Sequence, residues 1–140
     1  MSAKRFQLTR SAELINLPVF REFIRASATG SGLDAQGLYD VQLAVDELCT
    51  NIITHGYAGM DPGSIILDLE LAASSLTVTI TDFGHAFEPV EPEAPDPNTP
   101  LEERSEGGLG LFFVFMSVDE VTYESSEAGN HTRLVKKFSQ

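Results

Sequence analysis

Asp46-Glu47-Leu48-Cys49-Thr50-Asn51-Ile52-Ile53-Thr54-His55-Gly56-Tyr57-Ala58 sets an acid and an amide four residues apart inside an apolar pattern of helical period. Four residues is just over one turn, so Glu47 and Asn51 project from the same face. As a pair they are compatible with a metal-bound phosphate, with proton transfer or with a solvated edge. Leu38, Val41, Val45, Leu48 and Ile52 recur at threes and fours, which predicts one helix from about Asp34 to His55, stopped by Gly56. Rotated roughly 100° from that stripe lies a second row, Asp40, Ala44, Glu47, Asn51, Thr54 and His55, whose polarity requires a polar neighbour. Cys49 is the only cysteine and falls in the apolar pattern, so it reads as a small buried hydrophobe, and a disulfide within the chain is impossible.

Upstream, Phe6 and Leu8 alternate with Arg5, Gln7 and Thr9 in a short strand that closes at Ser11, read as a helix cap. On the helix that follows, Leu17, Phe20, Phe23, Ile24 and Ala28 share one side, and Gly30-Ser31-Gly32 ends it. Downstream of the Asp61-Pro62-Gly63 turn, Ile65, Leu67, Leu69 and Leu71 alternate with Ile66, Asp68 and Glu70. Leu76, Val78 and Ile80 then alternate with Thr77, Thr79 and Thr81, which makes a hairpin with one buried face. Leu109 to Met116 reads as a short apolar helix. Strands follow near Val118 to Glu124 and Thr132 to Phe138, with Gly129-Asn130 as the turn. Strand, two helices, hairpin, loop, helix and hairpin together imply an α+β fold with helices on one face of a mostly antiparallel sheet.

The chain has 140 residues, 42% of them hydrophobic, which suits one domain spanning 1–140. No apolar run approaches the ~20 residues that cross a bilayer, and no signal-like stretch follows Met1, so a soluble, cytoplasmic protein is expected. A net charge of -12 argues against nucleic acid and against an anionic membrane surface, because neutralising phosphates takes clustered Lys and Arg. A protein partner or a small ligand suits it better. Seven acids and five prolines lie between Glu88 and Glu106, with Arg104 the one base, so this stretch is expected to be a loop, either a functional lid or a linker.

Glycines bracket that loop. Asp82-Phe83-Gly84 sits at a strand end, where the carboxylate can accept from an exocyclic amine such as that of adenine and the glycine admits a flat ring. Taken alone, Asp-x-Gly is also an ordinary turn. Gly107-Gly108-Leu109-Gly110-Leu111 opens a helix with unobstructed backbone N–H groups, a setting that favours a polyphosphate. His55, His85 and His131 have no zinc-ligand spacing.

Taken together, Glu47 to Asn51 with His55-Gly56-Tyr57, the Asp82-Phe83-Gly84 box and Gly107 to Phe112 resemble the N, G1 and G2 boxes of the GHKL ATPases. More narrowly, the whole chain is similar to bacterial anti-sigma factors that are serine/threonine kinases. Asp119-Glu120-Val121, Gly129-Asn130 and a basic-ended last strand also fit that branch. The resemblance implies the Bergerat fold, a two-layer α/β sandwich with a mixed, mostly antiparallel sheet. It implies ATP and Mg2+ as cofactors, with Glu47 as general base and Asn51 as the magnesium ligand. Asp82 would meet the adenine amine, Gly84 the ring, and Thr132 the water beside the base. Gly107, Gly108, Leu109 and Gly110 would cradle the phosphates, Arg104 would add a cation, and 88–106 would be an ATP lid. Ala86 stands where many relatives carry a further glycine. Implied partners are a STAS-domain anti-anti-sigma substrate and a sigma factor, and the resemblance leans towards a homodimer. The alternative is a non-catalytic regulator of the same fold in which nucleotide sets a protein-binding surface.

Overall fold

Segments of alternating polarity become strands, and in the computed structural model, which describes residues 3–91 and 108–139, five of them form one sheet. In chain order the elements are β1 (Lys4–Ser11), α1 (Leu17–Ala28), α2 (Ala35–Asn51), β2 (Ser64–Leu71), β3 (Ser75–Asp82), α3 (Gly108–Ser117), β4 (Glu120–Ser126) and β5 (Gly129–Lys137). The order across the sheet is β1-β2-β3-β5-β4, and every neighbouring pair is antiparallel rather than mixed.

Register carries the sequence pattern into packing. Ile65 lies opposite Asp82, Leu67 opposite Ile80 and Leu69 opposite Val78, so the apolar set of β2 and β3 points to one side. Phe20 and Ile24 of α1, with Val41, Ala44, Val45 and Leu48 of α2, cover that side in a single core. Each fully buried Val, Leu or Ile contributes roughly 1.5–3 kcal/mol. An exposed ion pair such as Arg5–Glu70 adds about 1 kcal/mol or less, so the core rather than the surface charge holds the layers.

Three local expectations change. Ser11 ends β1 and caps no helix. Its carbonyl and hydroxyl oxygens accept from Asn16 Nδ2 at 2.9 Å each, a 3-10 turn covers Leu14–Asn16, and α1 begins at Leu17. Pro18 sits in the first turn of α1, where its missing N–H costs nothing. The second helix starts where expected, with Asp34 Oδ1 accepting from Gly37 N at 2.8 Å, but it widens at its end. There Tyr57 N donates five residues back to Ile52 O at 2.9 Å, closing a π-type turn over Ile52–Gly56. Gly129 and Asn130 belong to β5 and not to the turn, because Asn130 pairs with Asp82 across the sheet.

α3 runs one residue beyond the predicted helix at each end. Its last carbonyl, Ser117 O, accepts from Lys136 Nζ at 2.6 Å, and the same ammonium reaches Asp40 Oδ2 on α2 at 3.2 Å. A cation at a helix C-terminus is favourable for the exposed carbonyls as well as for the dipole. Of the predicted lid, residues 88–91 are described. Positions 92–106, with Arg104, and Gly107 lie outside the described residues.

Candidate functional site

α2 turns its apolar stripe to the sheet, and Glu47 and Asn51 follow on the adjoining face, next to α3. The contact between the helices is made at Gly110. A side-chain carbon there would collide with the Glu47 carboxylate, so a bare Cα is what lets this acid keep its present orientation against the start of α3. Burial raises the Glu47 pKa, and the neighbouring Asp46 raises it further. Asp46 is itself raised by burial, against the opposing pull of Arg21, whose Nη1 stands 3.0 Å from Asp46 Oδ2. Asp46 Oδ1 is buried with no hydrogen-bond partner among the described residues.

Asn51 is 9% exposed, and its amide makes no hydrogen bond to any described residue. The amide oxygen suits magnesium, which takes hard oxygen donors and retains water. Among the described residues no cluster of three or more His, Cys, Asp or Glu could hold a metal, so an ion here would rely on phosphate and water for its other ligands. Cys49, fully buried between Leu48 and Thr50, has its thiol pushed up by burial and is inert as a nucleophile.

The second half of the site gathers where β3 ends. Asp82 is 3% exposed, and its Oδ1 accepts from Gly84 N and from Asn130 Nδ2, both at 3.0 Å. Asn130 Nδ2 also donates to Gly84 O at 2.9 Å, while its Oδ1 accepts from Ser125 Oγ at 2.6 Å. Gly84 lies so close to the Gly56 carbonyl that a Cβ would overlap it, and His85 N donates to that same carbonyl at 2.6 Å. The Tyr57 hydroxyl donates to Ser64 O at 2.8 Å and accepts from Phe83 N at 2.9 Å. The end of α2 is therefore stitched to the Asp82-Phe83-Gly84 box. Beyond the box, the Phe87 ring stacks on His55 at 5.0 Å and its N–H donates to Tyr123 Oη at 3.1 Å.

Of the predicted site residues, Glu47 and Gly110 are brought into contact, and Asp82 and Gly84 share one hydrogen-bonded turn. Gly108 and Leu109 form the first turn of α3. Thr132 is buried opposite Ile80 and Tyr123, on the face that carries Asp82 and Asn130, one inward-facing pair further along. Tyr57, Ser125 and Asn130 were not predicted as site residues. Tyr57 was visible only as part of the motif after His55, and Asn130 only as a turn residue and as part of the Gly129-Asn130 pair that fits the family branch. Surface cavities of 340 Å3 on the outer sheet face, 390 Å3 at the start of α2 and 270 Å3 between α1 and α2 do not include Glu47, Asn51 or Asp82.

The family model described as histidine kinase-like ATPase domain matches residues 10–136. The anti-sigma F factor of Clostridium botulinum (strain Eklund 17B) is 36% identical over 104 residues, 71% of this chain and 71% of its own length. Serine-protein kinase RsbW of Staphylococcus aureus (strain MSSA476) is 31% identical over 131 residues, covering 89% of this chain and 79% of its own. Among solved structures, the RsbU and RsbW domains of a Mycobacterium tuberculosis protein match 98% of this chain with a TM-score of 0.70 at 19% identity, a likeness of fold. This chain spans 33% of that longer one. With the family model covering nearly its whole length, and such relatives aligned across most of theirs, the chain belongs to the anti-sigma factor serine/threonine-protein kinases, a branch of the histidine kinase-like ATPases.

Proposed function

We propose that the chain binds ATP with magnesium, phosphorylates a serine or threonine of a STAS-domain anti-anti-sigma protein, and sequesters a sigma factor in a cytoplasmic partner-switching pathway. The observation that carries this reading is the contact of Gly110 with the Glu47 carboxylate, which brings the glycine-rich helix start and a candidate base side by side. Phosphoryl transfer needs mainly positioning and charge neutralisation, with a carboxylate near the incoming hydroxyl. Glu47 would take the proton from that hydroxyl. Burial and the neighbouring Asp46 raise its pKa, and because the base must be ionised, transfer should rise with pH through the Glu47 pKa and fail below it.

Backbone N–H groups over Gly107, Gly108, Leu109 and Gly110 would bind phosphate oxygens, with Arg104 as an added cation. Asn51 would give magnesium an oxygen ligand, and the ion, when bound, would offset phosphate charge. Asp82 would accept from the adenine amine, Gly84 would admit the ring, and Thr132 would support water beside it. By kinship the working unit would be a homodimer.

Labelled ATP and a STAS-domain protein test these roles separately. Asn51→Ala should weaken magnesium-dependent nucleotide binding by about tenfold or more, whereas Glu47→Ala should spare binding and cut label transfer by ~100-fold or more. Equal loss of binding in both variants would refute the division of labour. Unchanged partner regulation in a transfer-dead Glu47→Ala would leave a nucleotide-dependent binding regulator in place of a kinase.

A further inference from the structure

Asn130 spends every polar atom it has on the turn that carries Asp82. One Nδ2 proton goes to Asp82 Oδ1 at 3.0 Å and the other to Gly84 O at 2.9 Å, while Oδ1 accepts from Ser125 Oγ at 2.6 Å. The side chain is 4% exposed, and Asp82 beside it is 3% exposed. The amide orientation follows from chemistry. Flipping it would turn the carbonyl oxygen towards a carboxylate oxygen and a backbone carbonyl, leaving three acceptors with no proton between them. Gly84 N supplies a second donor to the same Asp82 oxygen, at 3.0 Å. Asp82 Oδ1 is therefore held by two N–H groups, and Oδ2 has no hydrogen-bond partner among the described residues.

We infer that Asn130, supported by Ser125, is the positioning residue that makes Asp82 an acceptor-only reader of the nucleotide base. The inference rests on the reading of Asp82 as the base-contacting residue and adds what fixes its selectivity. A carboxylate pinned on one oxygen by two donors cannot turn away, and it presents its second oxygen to whatever group the base offers. An exocyclic amine donates to that oxygen. A carbonyl at the same ring position does not, and it leaves two acceptors facing each other. Sites built to hydrogen-bond one group reject the analogue lacking it far more strongly than apolar pockets do. The device spans three strands, with Asp82 on β3, Asn130 opposite it on β5 and Ser125 opposite Asn130 on β4. The selectivity of a β3 residue is thus set from the far edge of the sheet.

ATP and ITP differ by an amine against a carbonyl at this ring position, and titrating each with magnesium by calorimetry tests the inference. The unmodified chain should prefer ATP by about 10- to 100-fold. Asn130→Ala should erase about tenfold of that preference, chiefly through weaker ATP binding, while ITP affinity stays within a factor of about two. Ser125→Ala, which removes only the support, should lower the preference in the same direction by about threefold. It serves as the second variant if Asn130→Ala does not fold by thermal melting. If either variant weakens ATP and ITP by the same factor, Asn130 is merely structural and the inference is overturned. A chain that never distinguished the two nucleotides would overturn the reading of Asp82 and this inference with it.

Discussion

Among the described residues, Asp46 beside Glu47 keeps a buried oxygen without a partner, whereas the Asn130 side chain uses all of its hydrogen-bonding capacity. That oxygen is Asp46 Oδ1, the Asn51 amide makes no hydrogen bond to any described residue, and the Glu47 pKa is raised first by burial and then by Asp46. At the other end, Asn130 makes three hydrogen bonds, and the Tyr57 hydroxyl makes two. Buried polar atoms without partners cost stability, and satisfied networks rigidify. The contrast separates work within one site. On the proposed reading, Glu47 and Asn51 would act on the ligand, and the β3–β5 end would fix the geometry in which it is read.

The sharpest way to break this division is Gly110→Ala. Its methyl group would take the space of the Glu47 carboxylate and turn that flexible side chain aside. Phosphotransfer should fall by about 100-fold, while thermal stability, carried by the core, should drop by only a few °C, ~3–6 °C. A large loss of stability with transfer preserved would show that the junction is structural after all. Tyr57→Phe probes the other end, removing the hydroxyl that bridges Ser64 O and Phe83 N. It should cost about 1–3 kcal/mol in urea unfolding and lower the melting temperature by roughly 3–8 °C, with weaker nucleotide binding as a secondary effect. A melting temperature unchanged by Tyr57→Phe would remove the claim that this end is held by its hydrogen bonds.

The smallest expected effect has the opposite sign. A carboxyl whose folded-state pKa is raised contributes stability below its unfolded value and loses that contribution as pH rises through the folded value. Ionised Glu47 is therefore a cost at neutral pH. Glu47→Gln should raise the melting temperature at pH 7 by about 2 °C, a modest figure because the group is partly solvated, and should make no difference near pH 3.5. Destabilisation at both pH values would mean that Glu47 is satisfied in the folded protein and belongs with the rigid end.

Where the sequence carried a period, it was legible. The stripe from Leu38 to Ile52 located α2, and the alternation in 65–80 located the central hairpin with its buried face. Glu47 and Asn51 could be paired because a helix converts a spacing of four into one face. The wider turn after Asn51 was not visible, because Ile52, Ile53 and Thr54 continue the local pattern while Tyr57 closes a longer ring. Asn130 was hidden for a different reason. It meets Asp82 across 48 residues of chain, and only the pairing of β3 with β5 discloses that a residue resembling a turn former is a buried clamp. Tyr57 reaches Phe83 across 26 residues and was hidden in the same way.

Lys136 gives α3 a mechanical asymmetry. The far end of the helix is tied by one ammonium to Ser117 O and, through Asp40, to α2, while near its glycine-rich end Gly110 lies against Glu47 and Leu111 packs on the core. Ten residues of helix make an arm of about 15 Å, so a displacement of about 1 Å at the glycine end needs a tilt of only about 4° around the tethered end. Val114, midway along the arm, can stay in the core through so small a rotation. A tilt of α3 about its tie to β5 would thus adjust the tip of the helix without loosening the layers that hold the fold together.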